Sequence, residues 1–212
     1  IENLTYGNKT IAISYSGDGK YSSNVTSARL VVDKYESFVK PTIEPEITVG
    51  EDPTITVEVP EEATGWVIVE INNETYAIKV NNGTGSAVIK GLESGEYPIN
   101  VTYLGDDKFF SSNSTTSIKV SKVPSTVNVT AENITVGDKA VINISVPADL
   151  YGNVTVSVNG ENHTVFVSGG QGTLVLYDLP VGNYTVDAIF DGCEKYEPSN
   201  GTATFEVSSL KV

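Results

Sequence analysis

The stretch Leu92-Glu-Ser-Gly95-Glu-Tyr97-Pro-Ile99-Asn-Val101-Thr-Tyr103-Leu-Gly105-Asp106-Asp107-Lys108-Phe109 decides how this chain is read, because it returns. Its second copy is Leu179-Pro-Val-Gly182-Asn-Tyr184-Thr-Val186-Asp-Ala188-Ile-Phe190-Asp-Gly192-Cys193-Glu194-Lys195-Tyr196, 87 residues on. An earlier copy, Leu4-Thr-Tyr-Gly7-Asn-Lys9-Thr-Ile11-Ala-Ile13-Ser-Tyr15-Ser-Gly17-Asp18-Gly19-Lys20-Tyr21, stands 88 residues before the first. Self-similarity at a fixed period is the mark of a repeat architecture.

A second block keeps the same spacing. Ile47-Thr-Val49-Gly50-Glu-Asp52 recurs as Ile134-Thr-Val136-Gly137-Asp138-Lys, and Val59-Pro60 recurs as Val146-Pro147. The boundaries expected from these offsets are a partial module over 1–36, a full module over 37–121 and another over 122–212. Pro41, Pro45 and Pro124 fall at the junctions, where fixed φ and extended chain imply short, stiff linkers and hence a rod.

Inside each full module the period is two. Val67, Val69 and Ile71 alternate with Trp66, Ile68 and Glu70, and Val154, Val156 and Val158 alternate with Asn153, Thr155 and Ser157. Such alternation writes a strand with one buried face. Asn72-Asn73 and Asn159-Gly160 follow these runs and can adopt the positive φ of tight hairpin turns. Roughly seven short strands per repeat is the count of an immunoglobulin-like sandwich. The expected fold class is therefore all-β: tandem immunoglobulin-like β-sandwich repeats of Greek-key type. Tyr97 and Tyr184 each stand two residues after a glycine at the start of the strongest strand, the place of a tyrosine corner.

Composition agrees and excludes much else. The chain has 22 Thr and 17 Asn but one Gln, and no Met, a strand vocabulary with few helix-forming runs. Thirteen Lys+Arg against 27 Asp+Glu give a net charge of -14, which phosphate backbones and anionic membranes repel, so nucleic acid is excluded as a partner. A single cysteine, Cys193, permits no internal disulfide. The sequence contains no long apolar run and no basic-then-apolar leader, so any signal or membrane anchor is expected outside this segment.

The string Gly-x-Tyr-x-Val/Ile-x-x-x-Tyr/Phe-x-Gly-Asp-x-x-Tyr/Phe, running from Gly95 to Phe109, resembles the late-strand signature of the bacterial and archaeal group-3 Ig-like repeats. With the Asn and Thr richness, the chain is similar to adhesin-like surface proteins of methanogenic archaea. The resemblance implies an extracellular, cell-surface location and a role in adhesion. Two positions depart from it: Cys193 replaces the loop aspartate in the last module, and Lys9 replaces the tyrosine in the first.

Fourteen of the 17 asparagines lie in Asn-x-Ser/Thr: Asn3, Asn8, Asn24, Asn73, Asn82, Asn100, Asn113, Asn128, Asn133, Asn143, Asn153, Asn162, Asn183 and Asn200. Chance at this Ser and Thr content gives roughly three or four matches to the acceptor pattern. A polar strand face alone would use Gln, Lys and Glu as freely as Asn, and it does not. N-glycan acceptance is the expected chemistry. In Ile99-Asn100-Val101-Thr102-Tyr103 and Ile142-Asn143-Ile144-Ser145-Val146 the apolar residues point one way and the acceptor pair the other.

No catalytic constellation is visible. His163 is the only histidine, beside a hairpin turn within Asn162-His-Thr164, and reads as a surface strand residue. Asp191 and Glu194 flank Cys193 and disfavour a thiolate there. Gly169-Gly170-Gln-Gly172 has no lysine or helix after it, so it reads as a hairpin turn and not as a phosphate cradle. No cofactor is expected. Calcium is the one metal to weigh, should Asp106-Asp107 approach Glu36, Glu44 and Glu46 at the first junction.

The expected function is non-catalytic: glycosylated stalk repeats that project an adhesive region, with other cells or surface glycans as partners. The rival is a module that itself binds a glycan or protein, through loops or exposed aromatics such as Trp66. A further possibility concerns residues 1–36, which read as two strands with Ile11, Ile13 and Tyr15 on one and Leu30 and Val32 on the other. A lone hairpin is marginal in water. Its apolar face is therefore expected to pack on polypeptide outside this chain, either the missing half of its own module after cleavage or strands from another copy in a filament.

Overall fold

The computed structural model describes residues 4–211, so the sequon residue Asn3 lies outside the described residues. A hairpin comes first, β1 (Gly7–Tyr15) and β2 (Asn24–Val32). The first sandwich follows with β3 (Lys40–Thr42), β4 (Glu46–Thr48), β5 (Thr54–Glu58), β6 (Trp66–Ile71), β7 (Glu74–Lys79), β8 (Thr84–Val88), β9 (Gly95–Tyr103) and β10 (Ser112–Ser121). The second is β11 (Asn128–Ala131), β12 (Ile134–Thr135), β13 (Ala140–Ser145), β14 (Gly152–Val158), β15 (Glu161–Val167), β16 (Gln171–Leu176), β17 (Gly182–Phe190) and β18 (Ser199–Ser208). No helix occurs among the described residues. The chain divides into two compact units, one running through Ile47 and resuming over Glu51–Val120, the other holding Thr48–Gly50 and the chain from Ser121.

Both sandwiches have one topology. A five-stranded sheet of order β4-β10-β9-β6-β7 opposes a three-stranded sheet β3-β5-β8, and β12-β18-β17-β14-β15 opposes β11-β13-β16 in the same way. The chain crosses between sheets from β5 to β6, from β7 to β8 and from β8 to β9, which is the Greek-key wiring of an immunoglobulin-like sandwich. Register repeats as well: Gly95↔Val120 through Tyr103↔Ser112 matches Gly182↔Val207 through Phe190↔Ser199.

Alternation builds each core. Val67, Val69 and Ile71 of β6 are buried against Ile55 and Val57 of β5, with Ile99, Val101 and Tyr103 of β9 beside them. In the second sandwich Val154, Val156 and Val158, Val186 and Ala188, Ile142 and Ile144 form the equivalent cluster. Each fully buried valine or isoleucine among them contributes about 1.5–3 kcal/mol by leaving water. The turn asparagines adopt the left-handed region as their sequence demands: Asn72 has φ 49°, Asn73 φ 61° and Asn159 φ 48°. Gly169 (φ 58°) and Gly170 (φ 75°) make the turn that leads into β16.

The junction differs from the linker inferred for it. Pro41 is inside β3, opposite Val57, and the oxygen of Pro45 accepts the Lys119 N–H at 2.9 Å just before β4. β3 is the outer strand of its sheet, where a missing N–H costs no ladder bond. The pairing begins still earlier, since Tyr35 bridges Phe109 as Val123 bridges Tyr196. Residues 35–48 are thus the first edge strands of a sandwich and not a spacer.

The opening hairpin is the last pair of strands of a third repeat. Gly7↔Val32 through Tyr15↔Asn24 reproduces the β9–β10 register position for position. Ile11, Ile13 and Tyr15 therefore hold the places of Ile99, Val101 and Tyr103. Those three are 0 % exposed, whereas Ile13 is 55 % exposed. No described residue of this chain covers that face as the β3-β5-β8 sheet covers β9.

Candidate functional site

The candidate site is dispersed: a set of asparagines on outer strand faces and turns. All thirteen described sequon asparagines are exposed. Asn100 and Asn113 lie on β9 and β10, Asn73 and Asn82 in the turns after β6 and β7, and Asn8 on β1. In the second sandwich Asn128, Asn143, Asn153, Asn162, Asn183 and Asn200 stand on β11, β13, β14, β15, β17 and β18, with Asn133 immediately before β12. Strand alternation gives the reason, because each strand asparagine but one is out of phase with the core residues of its own strand.

Two side-chain amides are oriented through their oxygens. Asn133 Oδ1 accepts the Glu206 N–H at 2.7 Å, and Asn143 Oδ1 accepts from Thr173 Oγ1 at 3.3 Å. On β9 and β10 two sequons cross-pair, Asn113 opposite Thr102 and Asn100 opposite Thr115. Asn24 is the exception to the outward rule. It pairs with Tyr15 and shares that residue's face, in the position that Ser112 and Ser199 hold in the full sandwiches. There Ser37 Oγ donates to the Phe110 oxygen at 2.7 Å and meets Ser112 Oγ at 2.8 Å, and Ser125 does the same work beside Ser199. Asn24 is exposed because the hairpin lacks this covering strand.

An aspartate closes the loop after β9. Asp106 accepts from the Thr64 N–H (2.8 Å), Thr64 Oγ1 (2.9 Å), the Lys108 N–H (2.8 Å) and the Phe109 N–H (2.7 Å). Partial burial raises its pKa, and these bonds more than offset that, holding the carboxyl at about 2. Burial, then the Asp106 charge, pushes the neighbouring Tyr103 phenol up to about 12 while its hydroxyl donates to the Thr64 oxygen at 2.9 Å. The linker brings Lys34 Nζ to the Asp106 oxygen, and Glu46 pairs with Lys119 at 2.9 Å. No group of three His, Cys, Asp or Glu converges among the described residues.

Tyr97 and Tyr184 form tyrosine corners, their hydroxyls donating to the oxygens of Glu93 (3.1 Å) and Pro180 (2.9 Å). His163 is half-buried on edge strand β15, paired with Val156 and beside Leu176 and Tyr184 at the rim of the sandwich. Cys193 is an exposed free thiol whose sulfur accepts the Tyr196 N–H at 3.4 Å. Trp66 is exposed on β6 opposite Lys79. Sequence reasoning missed the edge-to-face pair of Tyr151 and Phe166, whose only sequence signal is an aromatic out of phase with the core pattern of β15.

No family model matches the chain, and no curated protein does. Among solved structures it is similar to the fibronectin(III)-like modules of Clostridium thermocellum CbhA, at 16% identity over 82% of this chain and 97% of that one, TM-score 0.36. A three-immunoglobulin-domain structure of titin matches at 12% identity over 97% of this chain and 75% of that one, TM-score 0.38. A Bacteroides ovatus glucan-utilization protein, SGBP-B in complex with a mixed-linkage heptasaccharide, matches at 18% identity over 97% of this chain and 54% of that one, TM-score 0.28. The chain is an array of immunoglobulin-like sandwich modules, by its own strand order and register.

Proposed function

We propose that this chain is a non-catalytic, N-glycosylated stretch of an adhesin-like surface protein, whose sandwich repeats carry an adhesive region away from an archaeal cell. One observation supports this reading above the others: every described sequon asparagine is accessible, whichever strand or turn bears it. A buried amide could not take a sugar, and burying it unpaired would cost free energy. The test is glycopeptide mass spectrometry of the protein made in a glycosylating archaeal host. Sugar on several of the fourteen sites is the expected result, and sugar on none refutes the glycoprotein reading. That modules such as these bind a glycan or protein directly, with Trp66 as a contact, is the rival reading. Loss of cell or glycan binding on Trp66→Ala would favour it.

A second reading concerns the hairpin. The uncovered face of β1 and β2 matches the face of β9 and β10 that the β3-β5-β8 sheet covers, so we propose that strands of the same repeat type complement it, those of a second copy when this segment stands alone. Asn24 faces that strand's place and stays unmodified in the complemented form. Ile13→Glu, a charge on the contact face, should abolish such association in light scattering. An unchanged mass distribution with a fully glycosylated Asn24 would sink the reading.

A further inference from the structure

On the outer face of the second sandwich Tyr151 and Phe166 meet edge to face, ring centroids 4.7 Å apart at 88°. Packing against each other leaves them 75 % and 51 % exposed. Phe166 lies on the edge strand β15 directly opposite Asn153 of β14, and Tyr151 precedes Asn153 by two residues on the same face. Directly paired side chains start about 4.5–5.5 Å apart at their Cβ atoms. Both rings are therefore within reach of whatever the Asn153 amide carries.

Nothing in the sandwich requires aromatic rings here. The core of β14 and β15 is made by Val154, Val156, Val158, Val165 and Val167 on the opposite face. Edge strands are ordinarily blunted with charge or proline, because an exposed apolar edge invites pairing with other chains. The first sandwich follows that rule, with Thr64 and Lys79 in the corresponding places and Trp66 where Asn153 stands. Only the copy with an acceptor asparagine has the aromatic pair around it. A pyranose ring presents one face of C–H bonds, and that face removes apolar area from water when it lies on an aromatic ring.

We propose that Phe166 and Tyr151 form a seat for the first sugar of a glycan on Asn153, the sugar's C–H face lying on the Phe166 ring with Tyr151 beside it. The seated sugar shields the β15 edge and ties it to β14. This inference rests on the glycoprotein reading above.

The test uses the whole chain from a glycosylating host and from one that does not glycosylate. Thr155→Ala removes the acceptor pattern and keeps Asn153; Tyr151→Ser with Phe166→Thr removes the seat and keeps the pattern. In the glycosylated natural sequence, Thr155→Ala is expected to speed amide hydrogen exchange of β14 and β15 several-fold beyond its effect in unglycosylated protein. In the Tyr151→Ser, Phe166→Thr background that excess should vanish. An equal excess in both backgrounds, or none in either, overturns the seat. Sugar found on other sequons but not on Asn153 overturns the seat alone, and sugar on none overturns the glycoprotein reading with it.

Discussion

The Tyr184 hydroxyl donates a 2.9 Å hydrogen bond to the oxygen of Pro180, four residues upstream, while its ring stacks on Phe205 at 5.1 Å and 13°. Tyr97 repeats the bond to Glu93, and at the corresponding place in the hairpin Lys9 Nζ reaches Thr5 Oγ1 at 2.8 Å. The corner thus pins the loop entering the long strand, and even the lysine copy preserves the four-residue span. Tyr184→Phe keeps the ring and removes only the bond. It should lower the stability of the second sandwich by about 1 kcal/mol. Urea unfolding followed by circular dichroism measures this, and an unchanged midpoint would reduce the corner to simple ring packing.

Asp106 sets an acid limit on the first sandwich. Its folded pKa of about 2 lies below the unfolded value of about 3.9, so its stabilisation is present above pH 4 and is lost as pH falls from about 4 towards 2. Trp66, the only tryptophan, reports on this sandwich alone. The urea midpoint read by its fluorescence should fall through that window in the natural sequence. Asp106→Asn should be weaker at neutral pH and should show a shallower fall. Parallel curves for the two proteins would show that other carboxyls carry the acid response.

Cys193 stands where Asp106 does, yet one sulfur contact replaces four hydrogen bonds to a carboxylate. Cys193→Asp restores an acceptor for the Tyr196 N–H, against some repulsion from Asp191 and Glu194. A gain of about 1 kcal/mol is expected, below the roughly 1.5–3 kcal/mol of a bond to a charged group because of that repulsion. A destabilised second sandwich would mean that the two loops are not interchangeable.

Ile99 and Ile11 hold one repeat position in different surroundings. Ile99→Ala should cost about 2–5 kcal/mol, as expected for truncating a fully buried aliphatic residue. Ile11→Ala should cost under about 1 kcal/mol in the isolated chain, because a half-exposed side chain leaves little cavity. A large cost at Ile11 in protein taken from native surfaces, but not in the isolated chain, would reveal the strands that complement the hairpin.

By itself the sequence determined the repeat, the period-two strands, the left-handed turns at Asn72-Asn73 and Asn159-Gly160, and the tyrosine corners. These are local or self-similar features, set by side-chain alternation, by asparagine and glycine backbone freedom and by one hydroxyl reaching four residues back. The exposure of the sequon asparagines was legible for the same reason, except at Asn24, whose face follows from pairing with Tyr15. Only the tertiary structure decided that Pro41 joins an edge strand, that Thr64 consumes Asp106 from 42 residues away, and that Phe166 faces Asn153. Each of these depends on which strands become neighbours and in what register. That choice is made by burying several apolar faces at once, and no short window of sequence contains it.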